Sequence, residues 1–160
     1  MDHVSDPGPK EGPGSVSGAE AEGLFQAVLT HSAVPTALVA PEGEFLVVNA
    51  ALCAMLGRTE AEVTASSWQE LTHEDDLAAD MALLSEVLAG QRDAYRLRKR
   101  YVRPDGEVVF GDLSVACIRG PEGTVTVLIK QIVDVTDETI ARDRYRLLAE
   151  NATDVIWQVA

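Results

Sequence analysis

The sequence predicts an α+β fold in which a five-stranded antiparallel sheet has helices packed on one face. Three long runs of alternating apolar residues lie within residues 94–133, and Gly-containing turns at 103–106 and 121–123 join them. Two shorter runs, at 36–40 and 45–48, are joined by a Pro-Glu-Gly turn. Short apolar runs separated by Pro, Asp and Gly are typical of antiparallel strands.

The first long strand, residues 94–102, has one apolar and one charged face, because neighbouring side chains point to opposite sides of a strand. One face carries Tyr95, Leu97, Lys99 and Tyr101, and the other carries Arg96, Arg98 and Arg100. The two long strands that follow are predicted at 107–118 and 124–133. The basic cluster of Arg96, Arg98, Lys99, Arg100 and Arg103 is interpreted either as a docking strip for an anionic partner or, preferably, as a solvated face paired with acidic neighbours.

Helix-start and helix-stop residues predict several helices between the second and third strands. Asn49 and Thr59 are typical N-caps, and Gly57 and Gly90 stand where helices commonly end. The acidic cluster at residues 72–76 suits the N-terminus of the longest helix, since the helix dipole favours negative charge there.

The two ends of the chain differ from its middle. Residues 1–19 are rich in Pro, Gly and Ser, and we expect them to be a disordered extension. Residues 20–32 carry apolar residues at helical spacing and form the first helix of a domain that spans 20–134. Residues 135–150 predict a linker helix, and residues 151–160 contain a strand-like apolar run.

Composition excludes several classes of function. The net charge of −13 disfavours nucleic acid as a partner, since phosphates require a basic surface. No apolar run approaches the ~20 residues of a membrane helix, and no basic segment followed by an apolar one marks a signal peptide. We therefore predict a cytoplasmic protein. Cys53 and Cys117 are interpreted as buried thiols in preference to a disulfide or redox sensors.

Four segments, taken in order, resemble motifs of the PAS sensory-domain family. The segment at 49–63 is similar to the family's helix-turn segment. Thr72-His73-Glu74-Asp75-Asp76 is similar to its HPDD motif, with Glu74 in place of Pro. The segment KRYVRPDG at 99–106 is close to the family's KRYVRKDG hairpin, and Asp134-Val135-Thr136 fits its closing D-[IV]-T element. The resemblance covers about residues 24–136.

The resemblance implies the PAS fold, flanked by N-terminal and C-terminal helices, and a sensory role. Residues 144–156 resemble the opening of a second such domain, so that 151–160 would be its truncated start in a tandem-PAS bacterial signalling protein. The output expected by resemblance is a histidine kinase or a cyclic-di-GMP synthase or phosphodiesterase.

Family members bind haem, flavin or small molecules, and the resemblance lets each be weighed here. The haem-binding members take their axial ligand from the long helix, where residues 76–90 contain no His, and His73 is interpreted as a structural turn residue. In the flavin photosensors a reactive Cys occupies the position of Trp68 and a pocket Gln that of Ile132. Haem and covalent flavin are therefore disfavoured, and the cofactor, if any, is unknown.

The sequence shows no pattern of residues typical of catalysis or metal binding. His3, His31 and His73 are scattered, so no metal site is predicted. Asp75 and Asp76 lack a nearby nucleophile or His base, and we interpret them as capping residues. No catalytic residue is predicted.

Three sets of residues are candidates for a sensory role. Whether the first set lines a ligand pocket or only fills the core stays open. The pocket candidates are Asn49, Leu52, Met55, Trp68, Leu84, Leu88, Tyr101 and Ile132. The signal-relay candidates are Asp134 and Thr136, and the candidates for a homodimer interface on the N-terminal helix are Leu24, Phe25, Val28 and Leu29.

The sequence thus predicts a non-catalytic sensory and dimerisation module that detects a small ligand or cellular signal and regulates a downstream output domain. The alternative is a ligand-free structural adaptor that mediates contacts between proteins.

Overall fold

The computed structural model describes residues 18–158, with side chains described within residues 20–152 apart from those of Ala21, Glu22 and Phe25. The N-terminal extension predicted at 1–19 lies outside the described residues as far as residue 17. Within the described part, no helix is both long enough and apolar enough to cross a bilayer.

The predicted five-stranded antiparallel sheet is confirmed. Its strands are β1 (Thr36–Val39), β2 (Phe45–Val48), β3 (Ala94–Val102), β4 (Val108–Arg119) and β5 (Val125–Asp134). They lie in the order β2-β1-β5-β4-β3, and every neighbouring pair is antiparallel. Strand β5 is therefore central, between the short hairpin and the long one.

Six helices accompany the sheet within the described residues. They are α1 (Gly18–His31), α2 (Ala50–Leu56), α3 (Glu60–Ala65), α4 (Trp68–Leu71), α5 (Glu74–Leu88) and α6 (Thr136–Gln158). Helices α2 to α5 connect β2 to β3, and they cover the face of the sheet on which the apolar core lies.

The cap residues predicted from the sequence act as expected. Asn49 Oδ1 accepts a hydrogen bond from Leu52 N at 3.0 Å, and Thr59 Oγ1 accepts one from Glu62 N at 3.2 Å. Gly57 ends α2 with φ of +64°, a left-handed conformation that favours glycine over residues with a side chain.

The start of α5 differs in detail from the prediction. His73 is the N-cap, and its Nδ1 accepts a hydrogen bond from Asp75 N at 3.1 Å. Asp76 does not cap; its carboxylate accepts bonds from the Arg100 guanidinium at 2.9 Å and from Arg100 N at 2.7 Å. The bonds from Arg100 also lower the pKa of the Asp76 carboxyl. Asp76 therefore fastens the beginning of α5 to β3.

The C-terminal part corrects the sequence prediction. Helix α6 continues to Gln158, so the backbone of the strand-like run predicted within 151–160 is helical up to that residue. The physical reason is that residues 136–158 contain no Gly or Pro, and many of them are good helix formers.

The core packs tightly at one position of β4. A Cβ atom at Gly111 would lie 2.7 Å from Ile132 Cγ2 and 2.8 Å from Tyr101 Cε2. Only a glycine leaves room for those two side chains, so Gly111 allows β3 and β5 to bring them close together across β4.

Candidate ligand cavity and signal exit

A small cavity lies between the sheet and the short helices. Its volume is about 20 Å³, whereas one buried water needs about 10–15 Å³ measured in the same way. It therefore has room for one or two water molecules. It is lined by Ala37, Phe45, Leu52, Leu56, Trp68, Leu71, Lys99, Tyr101, Lys130 and Ile132.

Lys99 of the cavity lining belongs to a buried ion pair. Lys99 of β3 is 2% exposed, and its Nζ lies 2.6 Å from Oδ2 of Asp80 on α5. The same Nζ donates to Thr72 Oγ1 at 2.8 Å, and Tyr95 Oη donates to Asp80 Oδ1 at 2.7 Å. Burial lowers the pKa of Lys99, and Asp80 opposes that shift. These bonds satisfy both charges, as a buried pair requires.

The lining contains a second buried lysine that has no such partner. Lys130 of β5 is 4% exposed, and its Nζ makes no hydrogen bond within the described part of the chain. It lies 4.0 Å from the centroid of the Trp68 ring, a cation–π distance. Burial, followed by the charge of Lys99, lowers the pKa of Lys130 to about 7, while Asp80 acts in the opposite direction.

Two other polar groups of the cavity lining are also without a hydrogen-bond partner. Trp68 Nε1 and Tyr101 Oη are buried and unpaired among the described residues. The Lys99 ammonium lies 4.7 Å from the centroid of the Tyr101 ring and 5.0 Å from that of Trp68. The cavity therefore brings two aromatic rings and two ammonium groups together, with spare hydrogen-bond donors.

Strand periodicity explains why both lysines point inward. Lys99 lies between Tyr95, Leu97 and Tyr101 on the covered face of β3, and Lys130 lies between Leu128 and Ile132 on that of β5. The prediction that Lys99 belongs to a solvated basic cluster was wrong, because its alternation places it in the core. Its neighbour Arg98 is on the exposed face and pairs with Asp112 at 2.7 Å, as the solvated-face interpretation expects.

The structure brings together half of the predicted pocket residues. Leu52, Trp68, Tyr101 and Ile132 line the cavity, whereas Met55 and Leu84 belong to the surrounding core. The remaining two need correction, since their side chains are used or exposed elsewhere. Asn49 Oδ1 accepts from Thr36 N at 3.0 Å and its Nδ2 donates to Val34 O at 2.8 Å, and Leu88 is 43% exposed.

The predicted pocket set did not include the polar residues of this site. They are Thr72, Asp80, Lys99 and Lys130. It also lacked four apolar lining residues: Ala37, Phe45, Leu56 and Leu71. Strand alternation would have identified the two lysines as core residues. Each lies two residues along its strand from large apolar side chains, and residues two apart point to the same face of a sheet.

The cavity does not fit the organic cofactors that the family resemblance raised. Pockets for such molecules commonly measure about 300–1,000 Å³, whereas this one measures about 20 Å³. The lining contains no His, Cys or Met that could serve as an axial ligand to haem iron. Across the described residues, no three His, Cys, Asp or Glu side chains gather as a metal site would need.

The two cysteines are free thiols, each partly buried. Burial, followed by the charge of Glu60, raises the pKa of Cys53. A reactive cysteine needs a lowered pKa, so the setting of Cys53 disfavours a redox role.

The junction between β5 and α6 is held by a set of short hydrogen bonds. Asp134 Oδ1 accepts from Thr136 N at 3.0 Å and from Thr136 Oγ1 at 2.6 Å. Phe110 N on β4 in turn donates to Thr136 Oγ1 at 3.0 Å, and Val135 N donates to Phe110 O at 2.8 Å. The first turn of α6 is therefore tied to both β5 and β4.

The candidate dimer residues of α1 differ in exposure. Leu24 is 59% and Val28 is 67% exposed, whereas Leu29 is buried at 7%. Leu29 therefore cannot contribute to an exposed apolar stripe without rearrangement. The side chain of Phe25 lies outside the described residues.

Comparison with known proteins identifies one family. The sequence model of the PAS fold family matches residues 23–135. A probable diguanylate cyclase of Escherichia coli K12, DgcE, is 34% identical over 119 residues, which are 74% of this chain and 11% of that protein. The chain thus spans only a small part of this curated relative.

Solved structures share the fold. An RNA-binding light-oxygen-voltage receptor superposes with a TM-score of 0.71 at 23% identity, over 92% of this chain and 41% of that one. A domain of a sensory box sensor histidine kinase/response regulator from Geobacter sulfurreducens superposes with a TM-score of 0.61 at 22% identity, over 74% of this chain and 98% of that one. A PAS domain from Colwellia psychrerythraea superposes with a TM-score of 0.66 at 11% identity, over 73% of this chain and 98% of that one.

Replacing Asp80 tests the weight of the buried ion pair. Asp80→Ala removes the counter-charge of the Lys99 ammonium and the acceptor of the Tyr95 hydroxyl, so we expect it to lower the free energy of unfolding by about 3–5 kcal/mol. Urea denaturation measures the loss. The matched control is Asp112→Ala, which breaks the exposed pair with Arg98 and should cost far less. Equal losses in the two variants would contradict the assigned importance of Asp80.

The stability of the domain should rise with pH between 7 and 9. Lys130 has a folded-state pKa of about 7, below its unfolded value of about 10.4, so above pH 7 the folded state binds fewer protons than the unfolded state. The free energy of unfolding should therefore increase by about 2 kcal/mol across this window. The interval stops at pH 9 because Cys53, Tyr95 and Tyr101 have raised pKa values that act in the opposite direction at higher pH.

Lys130→Met should remove most of this rise and stabilise the domain at pH 7, since it deletes an unpaired buried ammonium. Arg96→Met, which removes one positive charge from the exposed face of β3, is the control and should keep the rise. Urea denaturation at several pH values tests both variants, and a flat wild-type profile would show that Lys130 does not titrate as assigned.

Proposed function

Because the chain belongs to the PAS family, we propose that it is a non-catalytic sensory module of the cytoplasm, whose buried cavity controls an output domain through β5 and α6. The observation that carries this proposal is the continuity of β5. Lys130 and Ile132 line the cavity, and Asp134 of the same strand accepts two hydrogen bonds from the first turn of α6. A change at the cavity therefore has a short covalent route to the exit helix.

Backbone hydrogen bonds on both sides of β5 would help a displacement of this strand to reach α6. Strand β5 pairs with both β1 and β4, and Ile132 N donates to Pro35 O at 2.9 Å. Since its two neighbours limit lateral movement, a displacement at Lys130 is more easily passed along the strand than lost at an edge.

The output we propose is a cyclic-di-GMP synthase or phosphodiesterase, or a histidine kinase. The similarity to a probable diguanylate cyclase supports the first, and the fold of a sensory box histidine kinase domain is compatible with the last. The segment at 151–160, which resembles the opening of a second PAS domain, remains a proposal for a tandem arrangement.

The second candidate function is a ligand-free adaptor. The observation that favours it is the small cavity, about 20 Å³, which suits water better than a drug-sized molecule. An adaptor would differ from a sensor in one respect: no small molecule would change its stability by occupying the core.

Removing the Asp134 side chain tests the relay. Asp134→Ala loses the acceptor for Thr136 N and Thr136 Oγ1 and should cost about 1 kcal/mol of stability, as for a lost helix cap. In the full-length protein, the variant should keep its basal output but lose regulation of that output. The assay is the enzymatic activity of the output domain with and without the activating signal.

The control for this relay is Asp143→Ala, an exposed position further along α6 that should leave regulation intact. Regulation that survives in Asp134→Ala would refute the proposed route through β5.

We also propose that α1 mediates homodimerisation through its exposed residues Leu24 and Val28. Two large apolar side chains one turn apart on one helix are more stable when covered by a second copy than in water. Buried Leu29 would support the helix from within, and Phe25 remains part of the proposed interface.

The double change Leu24→Asp, Val28→Asp should convert a dimeric parent to a monomer, because it places two carboxylates in an apolar contact. Sedimentation equilibrium measures the mass. Thr30→Asp, exposed on the same helix, is the control and should leave the dimer in place. An unaltered mass in the double variant would exclude this interface.

A further inference from the structure

We propose that the signal detected at the cavity is the proton, which the side chain of Lys130 takes up and releases at the centre of β5. This inference rests on the proposed sensory function and names the regulator of that same site. A proton needs no cavity volume, so it suits an apolar space of about 20 Å³ that has room for little more than water.

Three polar groups lack a hydrogen-bond partner while Lys130 is charged. Lys130 Nζ, Trp68 Nε1 and Tyr101 Oη are buried, and none of them is paired within the described part of the chain. An ammonium group and an indole N–H can only donate, so neither can satisfy the other. Because buried donors without an acceptor are costly, the protonated state of this cluster carries a penalty that the neutral state can relieve.

Loss of the proton gives Lys130 the acceptor that this cluster lacks. When Lys130 transfers its proton to water, the electron pair of the broken N–H bond remains on Nζ as a lone pair, which an ammonium group does not have. The Trp68 ring already contacts the lysine, since its centroid lies 4.0 Å from Nζ. We assign Trp68 Nε1 as the donor to the neutral amine. Nζ then moves from the face of the ring toward its edge, because the indole N–H bond lies in the ring plane.

Opposing effects keep the two protonation states of Lys130 close in free energy. Burial, followed by the charge of Lys99, lowers the pKa of Lys130 to about 7, whereas Asp80 acts in the opposite direction. The face of the Trp68 ring also attracts the charged form. A modest change of pH near neutrality therefore shifts the population from one state to the other.

Titratable groups from three elements surround Lys130. Strand β3 contributes Lys99 and Tyr101, and α5 contributes Asp80. Strand β4 contributes Cys117, which packs against the core. The lining residues of β1, β2, α2 and α4 do not titrate. Lys99 keeps its counter-charge at 2.6 Å, and burial raises the pKa of Tyr101, so Lys130 is the group of the lining that we assign to the change of charge.

The place of Lys130 in the sheet connects its protonation to the exit helix. Lys130 pairs with Ala37 of β1 and with Val115 of β4, so a movement of its side chain acts on the central strand. Further along the same strand, Asp134 Oδ1 accepts a hydrogen bond from Thr136 N at 3.0 Å. The movement that accompanies proton release therefore has a covalent route to the first turn of α6.

NMR of the 160-residue chain, with its lysines labelled with carbon-13, tests the proposal. The sequence contains three lysines, Lys10, Lys99 and Lys130, and through-bond correlation from the backbone amide assigns the Lys130 Cε resonance without a variant. We expect this resonance to titrate with a midpoint near pH 7, about three pH units below the value of about 10.4 for an ordinary lysine. A Cε resonance that stays at its charged position up to pH 9 would overturn the proposal.

Two further signals show whether the protonation of Lys130 reaches its surroundings. The indole N–H signal of Trp68 and the backbone amide signal of Thr136 should both shift with the midpoint of Lys130. Both shifts should vanish in Lys130→Met and persist in Arg96→Met, which removes a positive charge from the exposed face of β3. Imidazole groups as a class titrate near neutral pH, so a shift that survives in Lys130→Met belongs to a histidine and would contradict the relay.

The wild-type chain decides the matter if Lys130→Met proves unfolded by thermal melting. Coincident midpoints for Lys130 Cε, the Trp68 indole and the Thr136 amide would support the proposal, and separate midpoints would overturn it. Loss of the proton proposal would leave the sensory function standing, since regulation lost in Asp134→Ala is measured in the full-length protein and does not depend on which signal acts at Lys130.

Discussion

The buried pair between Lys99 of β3 and Asp80 of α5 is the interaction on which the rest of the domain depends. Either charge alone would be strongly unfavourable in the core, but Thr72 and Tyr95 complete the hydrogen bonding of both. Because the pair joins a helix to a strand, it fixes where α5 lies over the sheet. Asp76 and Arg100 hold the same helix at its beginning. The position of Lys99 in the cavity lining is therefore set by directional polar contacts, which specify geometry more closely than apolar contacts do.

Lys130 is a buried lysine like Lys99, but it has no carboxylate partner. Both ammonium groups approach the Trp68 ring, and the charge of Lys99 contributes to the lowered pKa of Lys130. Leaving such a group uncompensated reduces stability, and strained electrostatics of this kind concentrate at functional sites. The two buried lysines therefore differ in one respect: Lys99 has a carboxylate partner in Asp80, and Lys130 has no hydrogen-bond partner among the described residues.

Much of the fold could be predicted from local signals. The turns at Gly106 and Gly123, the caps at Asn49 and Thr59 and the stop at Gly57 each have a short-range physical cause, and the sheet follows from strict alternation. The residues of the cavity were harder to predict from the sequence. Lysine and aspartate are usually solvated. Alternation puts Lys99 on the apolar face of its strand, but its charge also groups it with the basic cluster, and no local signal marks Asp80. Their burial depends on a contact between residues 19 apart in sequence, on two different elements. The far end of α6 was missed for the opposite reason: apolar β-branched residues suggested a strand, whereas an uninterrupted helix preceded them.

The length of α6 has a geometric consequence for whatever follows the sensor. The helix runs from Thr136 to Gln158 without a Gly or Pro, which at 1.5 Å per residue is a rod of about 34 Å. A reorientation of about 5° at its bonded first turn would move the other end by about 3 Å, close to the width of a single atom. Displacements too small to disturb the sheet would thus become comparable to a side-chain contact at the distant end.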